Sequence, residues 1–336
     1  MKKQTRKLTL EDIGKQVGVS RATVSRVINN YPHITPDVRE RVQQVIRETG
    51  FRPNKIARSL ASDRSGVIGL VIPHVASTIL TNPYFLYLIN SITSATNRND
   101  LTLALFLFHS IDEEQRIAKS IFNADLVDGV IVTADRREES FVEQLVEHGV
   151  PLVFIGKPEP GVHVPFVNVD NEAGAMLATD HLIKRSRRRV AAVTARYNTA
   201  GDDRYLGYLN ALKANGIPYD ERLVAEGDFT QESGYRAMKA LLKESPDAVF
   251  VSSDIMALGA QRAIREAGLR IPEDIAVVGF DDLPQASHAE PPLTTVHQPI
   301  AELGPIAVEM LMHAIAKPHD ALASRVLPVE LVVRES

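Results

Sequence analysis

Arg21, Ala22 and Arg26, all in the short segment RATVSR, carry the chemistry of base recognition. Two parallel N–H donors of an arginine match the O6 and N7 acceptors of guanine, and a small alanine side chain fits against a thymine methyl. Around them, Thr9, Ser20, Thr23, Ser25, Asn29 and His33 supply polar groups suited to DNA and above all to phosphate oxygens, contacts that position a protein on a duplex without reading its sequence. A second set of polar residues lies far along the chain, each just past an apolar run. Arg204 opens RYLGYLNAL, Ser253 and Asp254 follow AVFVS, Asp281 and Asp282 follow IAVVGF, and Gln298 follows TTVH. An arginine fork and a carboxylate make paired, directional hydrogen bonds to the hydroxyls of a small polar ligand. Pro73 and His74 end the run VIGLVI, and NPYF presents Tyr84 and Phe85, rings on which an apolar sugar face can pack in a chain without tryptophan.

Catalytic chemistry finds less support. The absence of cysteine excludes disulfides, thiolate metal sites and cysteine nucleophiles, and the ten histidines show no HExxH spacing. Neither a GxGxxG turn, a Walker loop nor a GxSxG elbow is present. Asp281 and Asp282 are adjacent, so at a strand end they point in different directions, whereas glycoside hydrolysis needs two carboxylates facing one bond. The expectation is a binding protein that is not an enzyme, with no cofactor and no metal.

Three short helices must position the first residue set. Thr9 and Asp12 predict a capping box for a helix over Leu10 to Gln16, and Gly18 breaks it. Ser20 caps a second helix, Arg21 to Asn29, whose Val24, Val27 and Ile28 form an apolar face opposite the base-reading candidates. Thr35 and Pro36 open a third, with Val38, Val42, Val45 and Ile46 as its buried stripe and Gly50 as its end. Helix, glycine turn, helix is the layout of a helix-turn-helix. Charge agrees, since Met1 to Arg64 holds 14 Lys and Arg against 6 Asp and Glu while the whole chain carries a net charge of −4. A solvated basic face would give the same charge; spacing and caps favour a nucleic-acid contact fused to an acidic body.

From Gly66 the pattern becomes apolar runs alternating with amphipathic stretches, the signature of parallel α/β sheets covered on both faces. Strands are predicted at Val67–Ile72, Leu101–Phe108, Gly129–Val132, Leu152–Ile155, Val190–Thr194, Ala248–Val251 and Ile275–Gly279. The Pro- and Gly-rich stretch Lys157 to Val167 divides this body into two halves, and two lobes imply a cleft at the carboxyl ends of their strands. No apolar run approaches the roughly 18 residues of a membrane span, and the first residues lack an apolar export core, so a cytoplasmic location is expected.

The run TLEDIGKQVGVSRATVSRVINN, followed by ITPDVRERVQQVIRETGFRPNKIARSLA and SGVIGLVIP, closely resembles the lactose and galactose repressor (LacI/GalR) family. The similarity continues through RYLGYLNAL, SSDIMALGA, DIAVVGFDD and PPLTTVHQP. This resemblance implies a small all-α helix-turn-helix head over 1–52, a hinge and linker over 53–65, and a bilobed α/β periplasmic-binding-protein-like body of two doubly wound parallel sheets over 66–336. The implied lobes are 66–166 with 299–324, and 167–298 with 325–336. It implies a homodimer on a pseudo-palindromic operator, with a dimer preferred to a tetramer because no leucine heptads follow LVVRES. The segment RPNKIARSLAS looks like the family's hinge helix, with Asn54 a DNA contact and Leu60 a minor-groove wedge; an ordinary connector with Ile56 and Leu60 on one face fits the same periodicity. Arg204 and Asp281 match positions where members hold ligand hydroxyls or carboxylates, and VFIGKP resembles regulators of disaccharide and α-glucoside use. The expected function is a repressor of a carbohydrate operon, controlled by a sugar-like effector in the cleft.

Overall fold

The computed structural model describes residues 8–28, 31–51, 64–75, 82–108, 126–133 and 141–336, with isolated positions between 110 and 121. The chain divides into two units, Met1–Ser65 and Gly66–Ser336.

In the first unit, helices α1 (Leu10–Val17), α2 (Arg21–Ile28) and α3 (Pro36–Thr49) enclose Ile13, Val17, Val24, Val27, Val42 and Phe51 in one small core. The Thr9 amide donates to Asp12 Oδ2 (2.9 Å) and the Asp12 amide to Thr9 Oγ1 (3.3 Å), closing the capping box and satisfying two amides that the first turn leaves open. Gly18 ends α1 at φ +79°, a conformation costly for a residue with a Cβ. The Thr23 amide donates to Ser20 Oγ (3.1 Å) at the start of α2. At α3 the expectation is met only by half. Thr35 has the extended backbone of a cap but makes no capping bond with its side chain, so the fixed φ of Pro36 defines the helix start.

The described residues of the second unit form two six-stranded sheets. The first comprises β1 (Val67–Val75), β2 (Thr102–Phe108), β3 (Gly129–Thr133), β4 (Leu152–Ile155), β5 (Phe166–Val169) and β11 (Arg325–Leu327), in the order β11-β5-β4-β3-β1-β2 and parallel throughout. The second comprises β6 (Val190–Thr194), β7 (Val224–Glu226), β8 (Ala248–Val251), β9 (Ala276–Asp281), β10 (Thr294–His297) and β12 (Glu330–Val332), in the order β12-β10-β9-β8-β6-β7. Among the described strands of this sheet, only β12 runs antiparallel to its neighbour.

Alternate side chains of each central strand enter different cores, which is why these strands read as continuous apolar runs. Ile131 of β3 packs with Leu88 and Ile92 of α4 (Pro83–Arg98) and Leu303 and Leu311 of α11 (Ile300–Ala316). Its neighbours Val130 and Val132 pack with Phe141 and Leu145 of α5 (Phe141–Glu147) on the other face. In the second sheet, Phe250 packs with Leu182 of α6 (Asn171–Lys184) and Tyr208 of α7 (Thr199–Ala214). Val249 and Val251 share a core with Met238 of α8 (Gln231–Leu241), Ile264 of α9 (Asp254–Glu266) and Ala286 of α10 (Pro284–Ser287).

The lobe boundaries differ from those implied by resemblance. Phe166–Val169 and Arg325–Leu327 both belong to the first sheet, so the chain passes between lobes just after Val169, between His297 and Ile300, and between Leu327 and Glu330. The Lys157 to Val167 stretch is therefore not the divide. It links β4 to β5 inside the first lobe, and the chain crosses only after β5 has paired with β4 and β11.

Candidate functional site

Burial of Val24 and Val27 turns the opposite side of α2 outward, and Arg21, Ala22 and Arg26 are exposed there. Among the described residues neither arginine is in an ion pair; the Arg26 guanidinium lies 6.0 Å from the ring of Tyr31, an exposed residue that sequence reasoning missed. Thr9, Ser20 and His33 are exposed, and Thr23 and Ser25 are half-buried. Asn29, Asn54 and Leu60 lie outside the described residues.

The second site is a cleft between the lobes of the second unit, partly open to solvent. Carboxyl ends of strands line it from both sheets: Thr133 from β3, Phe154 to Gly156 at β4, Val167 to Val169 from β5 and Asp281 from β9. In open α/β sheets ligands bind at such ends, and near each sheet's reversal of strand order. Tyr84, Phe85, Arg204, Asp281 and Gln298 from the sequence-based set all line the cleft. Pro73 and His74 are in β1, but their side chains lie outside the described residues.

Arg204 sits on the inner face of α7 and is almost fully buried. Its Nε donates to Asn171 Oδ1 (2.8 Å), its Nη1 to the Ser252 carbonyl (2.6 Å) and, at 3.4 Å, to Asp281 Oδ1, while its plane lies 3.6 Å from the Phe280 ring centroid. Gln298 Nε2 donates to the same Asp281 oxygen (2.6 Å). Asp281 is held at φ +121°, a region sparsely populated by side-chain-bearing residues; such backbone strain is a feature of binding sites. Burial pushes its carboxyl up to about 6, against the opposing pull of Arg204 and Gln298. Burial also lowers Arg204, countered first by Asp281, and raises the Tyr84 hydroxyl.

Two expected ligand residues are instead structural. Ser253 caps α9, its Oγ accepting from the Met256 amide (3.3 Å). Asp254 is fully buried, with Oδ1 accepting from Thr295 Oγ1 (2.5 Å) and Oδ2 from the Leu283 amide (2.8 Å), so it pins the loop after β9 rather than facing the cleft. Burial, then the neighbouring Asp281 charge, raises its carboxyl well above the usual range. Asp282 turns away from Asp281, as adjacency predicts, towards Arg334 Nη2 (2.6 Å) and His297 Nδ1 (3.0 Å).

Sequence reasoning missed the uncharged part of the lining. Asn82, Asn168, Asn171, Asn198 and Thr199 supply amides and a hydroxyl, and Tyr197 and Phe229 form an edge-on aromatic pair 5.5 Å between centroids. Most of these lie in loops or at helix starts, and N-capping residues such as Asn82 and Asn198 look in sequence like helix punctuation alone.

A two-lobed binding body with a buried arginine–carboxylate pair, joined in one chain to a helix-turn-helix unit, defines a ligand-responsive DNA-binding regulator. Residues 9–54 match the family of bacterial regulatory proteins, lacI family, and residues 179–336 match the periplasmic binding protein-like domain. The chain is 38% identical to the HTH-type transcriptional regulator CelR of Thermobifida fusca over 98% of both proteins. Among solved structures, a transcriptional regulator CelR–cellobiose complex superposes with a TM-score of 0.78 at 37% identity, covering 98% of this chain and 99% of that one. The lac repressor dimer bound to operator and the anti-inducer ONPF gives 0.83 at 28% identity with the same coverage. The chain belongs to the LacI family of bacterial transcription regulators. No described helix is long and apolar enough to cross a membrane.

Proposed function

We propose that this protein is a cytoplasmic homodimeric repressor of a carbohydrate-use operon, and that a neutral sugar bound in the interlobe cleft controls its grip on a pseudo-palindromic operator. The observation that carries this reading is the composition of the cleft. Arg204 and Asp281 neutralise one another, and the other polar lining residues described are uncharged amides and hydroxyls. Such a lining matches hydroxyls through directional hydrogen bonds, while Tyr84, Phe85, Phe154, Tyr197 and Phe229 offer apolar ring faces. A phosphorylated ligand would need uncompensated cations, and none of the described lining residues provides one. The relative solved with cellobiose supports a disaccharide. Binding proceeds without turnover, since the cleft brings together no pair of carboxylates and no nucleophile with its base among the described residues.

In the head, Arg21, Ala22 and Arg26 read bases, Thr9, Ser20, Thr23, Ser25, Asn29 and His33 hold the backbone, and Asn54 and Leu60 act from the hinge. The test is a thermal-shift screen of cellobiose, other disaccharides, monosaccharides and nucleobases, repeated with operator DNA. A ligand at about 100 times its Kd adds about 2.7 kcal/mol of stability. Stabilisation by nucleobases alone, or turnover of a sugar, would replace this reading.

A further inference from the structure

Arg204 reaches beyond its own lobe. Its Nε donates to Asn171 Oδ1 (2.8 Å), and the Asn171 Nδ2 donates in turn to Asn168 Oδ1 (3.2 Å) and the Val169 carbonyl (3.3 Å). Arg204 belongs to α7 of the second lobe, whereas Asn168 and Val169 belong to β5 of the first sheet. Asn171 is the residue between, the first of α6, directly past the point where the chain changes lobes. We propose that Asn171 is a positioning residue that fastens the guanidinium of Arg204 to β5, making the cation of the effector cleft part of the lobe crossing itself.

Three observations separate this role from ordinary helix capping or ligand contact. The cap of α6 is supplied by Asp170, whose Oδ1 accepts from the Ala173 amide (3.0 Å), so Asn171 is not needed to start the helix. Both polar ends of the Asn171 amide are already engaged within the protein, one by Arg204 and one by β5, so it acts on a ligand through Arg204. Finally, the Asp170 amide donates to the Leu327 carbonyl (3.0 Å) at the end of β11, so the strand region that Asn171 grips is also stitched to a second crossing. An amide that is 2% exposed is poorly solvated, so losing a partner there costs more than at the surface.

The inference rests on the cleft being the effector site, but its test needs no ligand, and a failed sugar screen leaves it decidable. Backbone hydrogen exchange is measured in the full-length protein at β5 and the start of α6, for Asn171→Ala, Arg204→Met and the double variant. Loss of one buried hydrogen bond raises the opening equilibrium by about tenfold. Each single variant is expected to accelerate exchange at β5 on that order, and the double variant no more than either alone, because both break the same connection. Additive acceleration would mean that Asn171 supports β5 independently of Arg204, and unchanged exchange in Asn171→Ala would mean that it supports nothing there; either overturns the proposal. Should Asn171→Ala fail to fold, Asn168→Ala combined with Arg204→Met gives the same non-additive pattern, and additivity there overturns it equally.

Discussion

Arg204 and Asp281 face one another across 3.4 Å, wider than the roughly 2.7–2.9 Å of a tight charge-assisted contact, because each is held from another direction. Asn171 and the Ser252 carbonyl draw the guanidinium, and Gln298 takes the Asp281 oxygen at 2.6 Å. The pair is thus preorganised by neutral groups without collapsing onto itself, which leaves it competent to grip a ligand hydroxyl. Arg204→Ala and Asp281→Ala should each abolish the effector response and leave unliganded operator binding intact, since the DNA-facing residues belong to the other unit. Removing one member of a buried pair also destabilises, by about 3–5 kcal/mol, so Asp281→Asn, which keeps the shape and tolerates positive φ, is the control. Operator affinity with and without ligand decides the matter. A wild-type response from Arg204→Ala would move the sensor site elsewhere.

The pH dependence of effector binding follows from Asp281, whose carboxyl burial raises to about 6. Ionised, it accepts hydrogen bonds from ligand hydroxyls; protonated, it gives up part of that acceptor capacity and the attraction of Arg204. Effector affinity should therefore fall as pH drops through about 6. Stability of the unliganded protein runs the other way for this group: a raised acid pKa contributes stability that is full below the unfolded value near 3.9 and is lost as pH rises through 6. Calorimetric titration with the sugar between pH 5 and pH 8, flanking the midpoint at about 6, measures the first effect. A flat profile in wild type, or an unaltered one in Asp281→Asn, would remove Asp281 from the contact.

The two-lobed body was legible because parallel strands covered on both faces leave unbroken apolar runs such as VAAVT and AVFV. Strands β5, β7, β10, β11 and β12 have three or four residues each, with polar residues such as Asn168, Glu226, Thr295, Arg325 and Glu330 breaking the apolar run, and this shifted the lobe boundaries. Helix α11 was hidden differently. Pro305 in its interior reads as a break, and Gly304 is there because Ser91 of α4 packs against it and leaves no room for a Cβ. Arg204 and Asp281 could be found because charged residues following apolar runs stand out. Asn171 could not, since its meaning lies in partners from two lobes, and Asp254 misled because position after a strand does not say which way a side chain turns.

Arg21 and Arg26 project from the exposed side of α2, outside any ion pair among the described residues, so neither must leave a carboxylate to bind DNA. Replacing either with alanine should cost on the order of 1–3 kcal/mol on the cognate site and relax preference at one base pair per half-site. Competition binding against single-base operator variants measures both quantities. Equal losses on cognate and random duplexes would assign these arginines to phosphates instead.

The last prediction concerns the rim of the cleft, where the lobes already touch. Lys157 Nζ, just past β4 in the first lobe, lies 3.0 and 3.3 Å from the two carboxylate oxygens of Asp203 on α7, and its carbonyl accepts from Thr199 Oγ1 (2.6 Å). Lys157 is half exposed, its side chain 50% accessible against 18% for Asp203, so solvent screens the pair and its worth is about 0.2–1 kcal/mol. Asp203→Ala should accordingly weaken effector affinity by at most about fivefold, by favouring the open arrangement without touching the ligand-gripping pair. The same variant should lose most of the salt sensitivity of binding between about 0.01 and 1 M, over which the Debye length shrinks from about 30 to 3 Å. Exchanging the charges, Lys157→Asp with Asp203→Lys, restores the attraction and should recover affinity, whereas Lys157→Asp alone places two carboxylates together and should weaken it further. If the exchange fails to recover what each single change loses, the two side chains touch without holding the lobes together, and closure depends on the buried network around Arg204 alone.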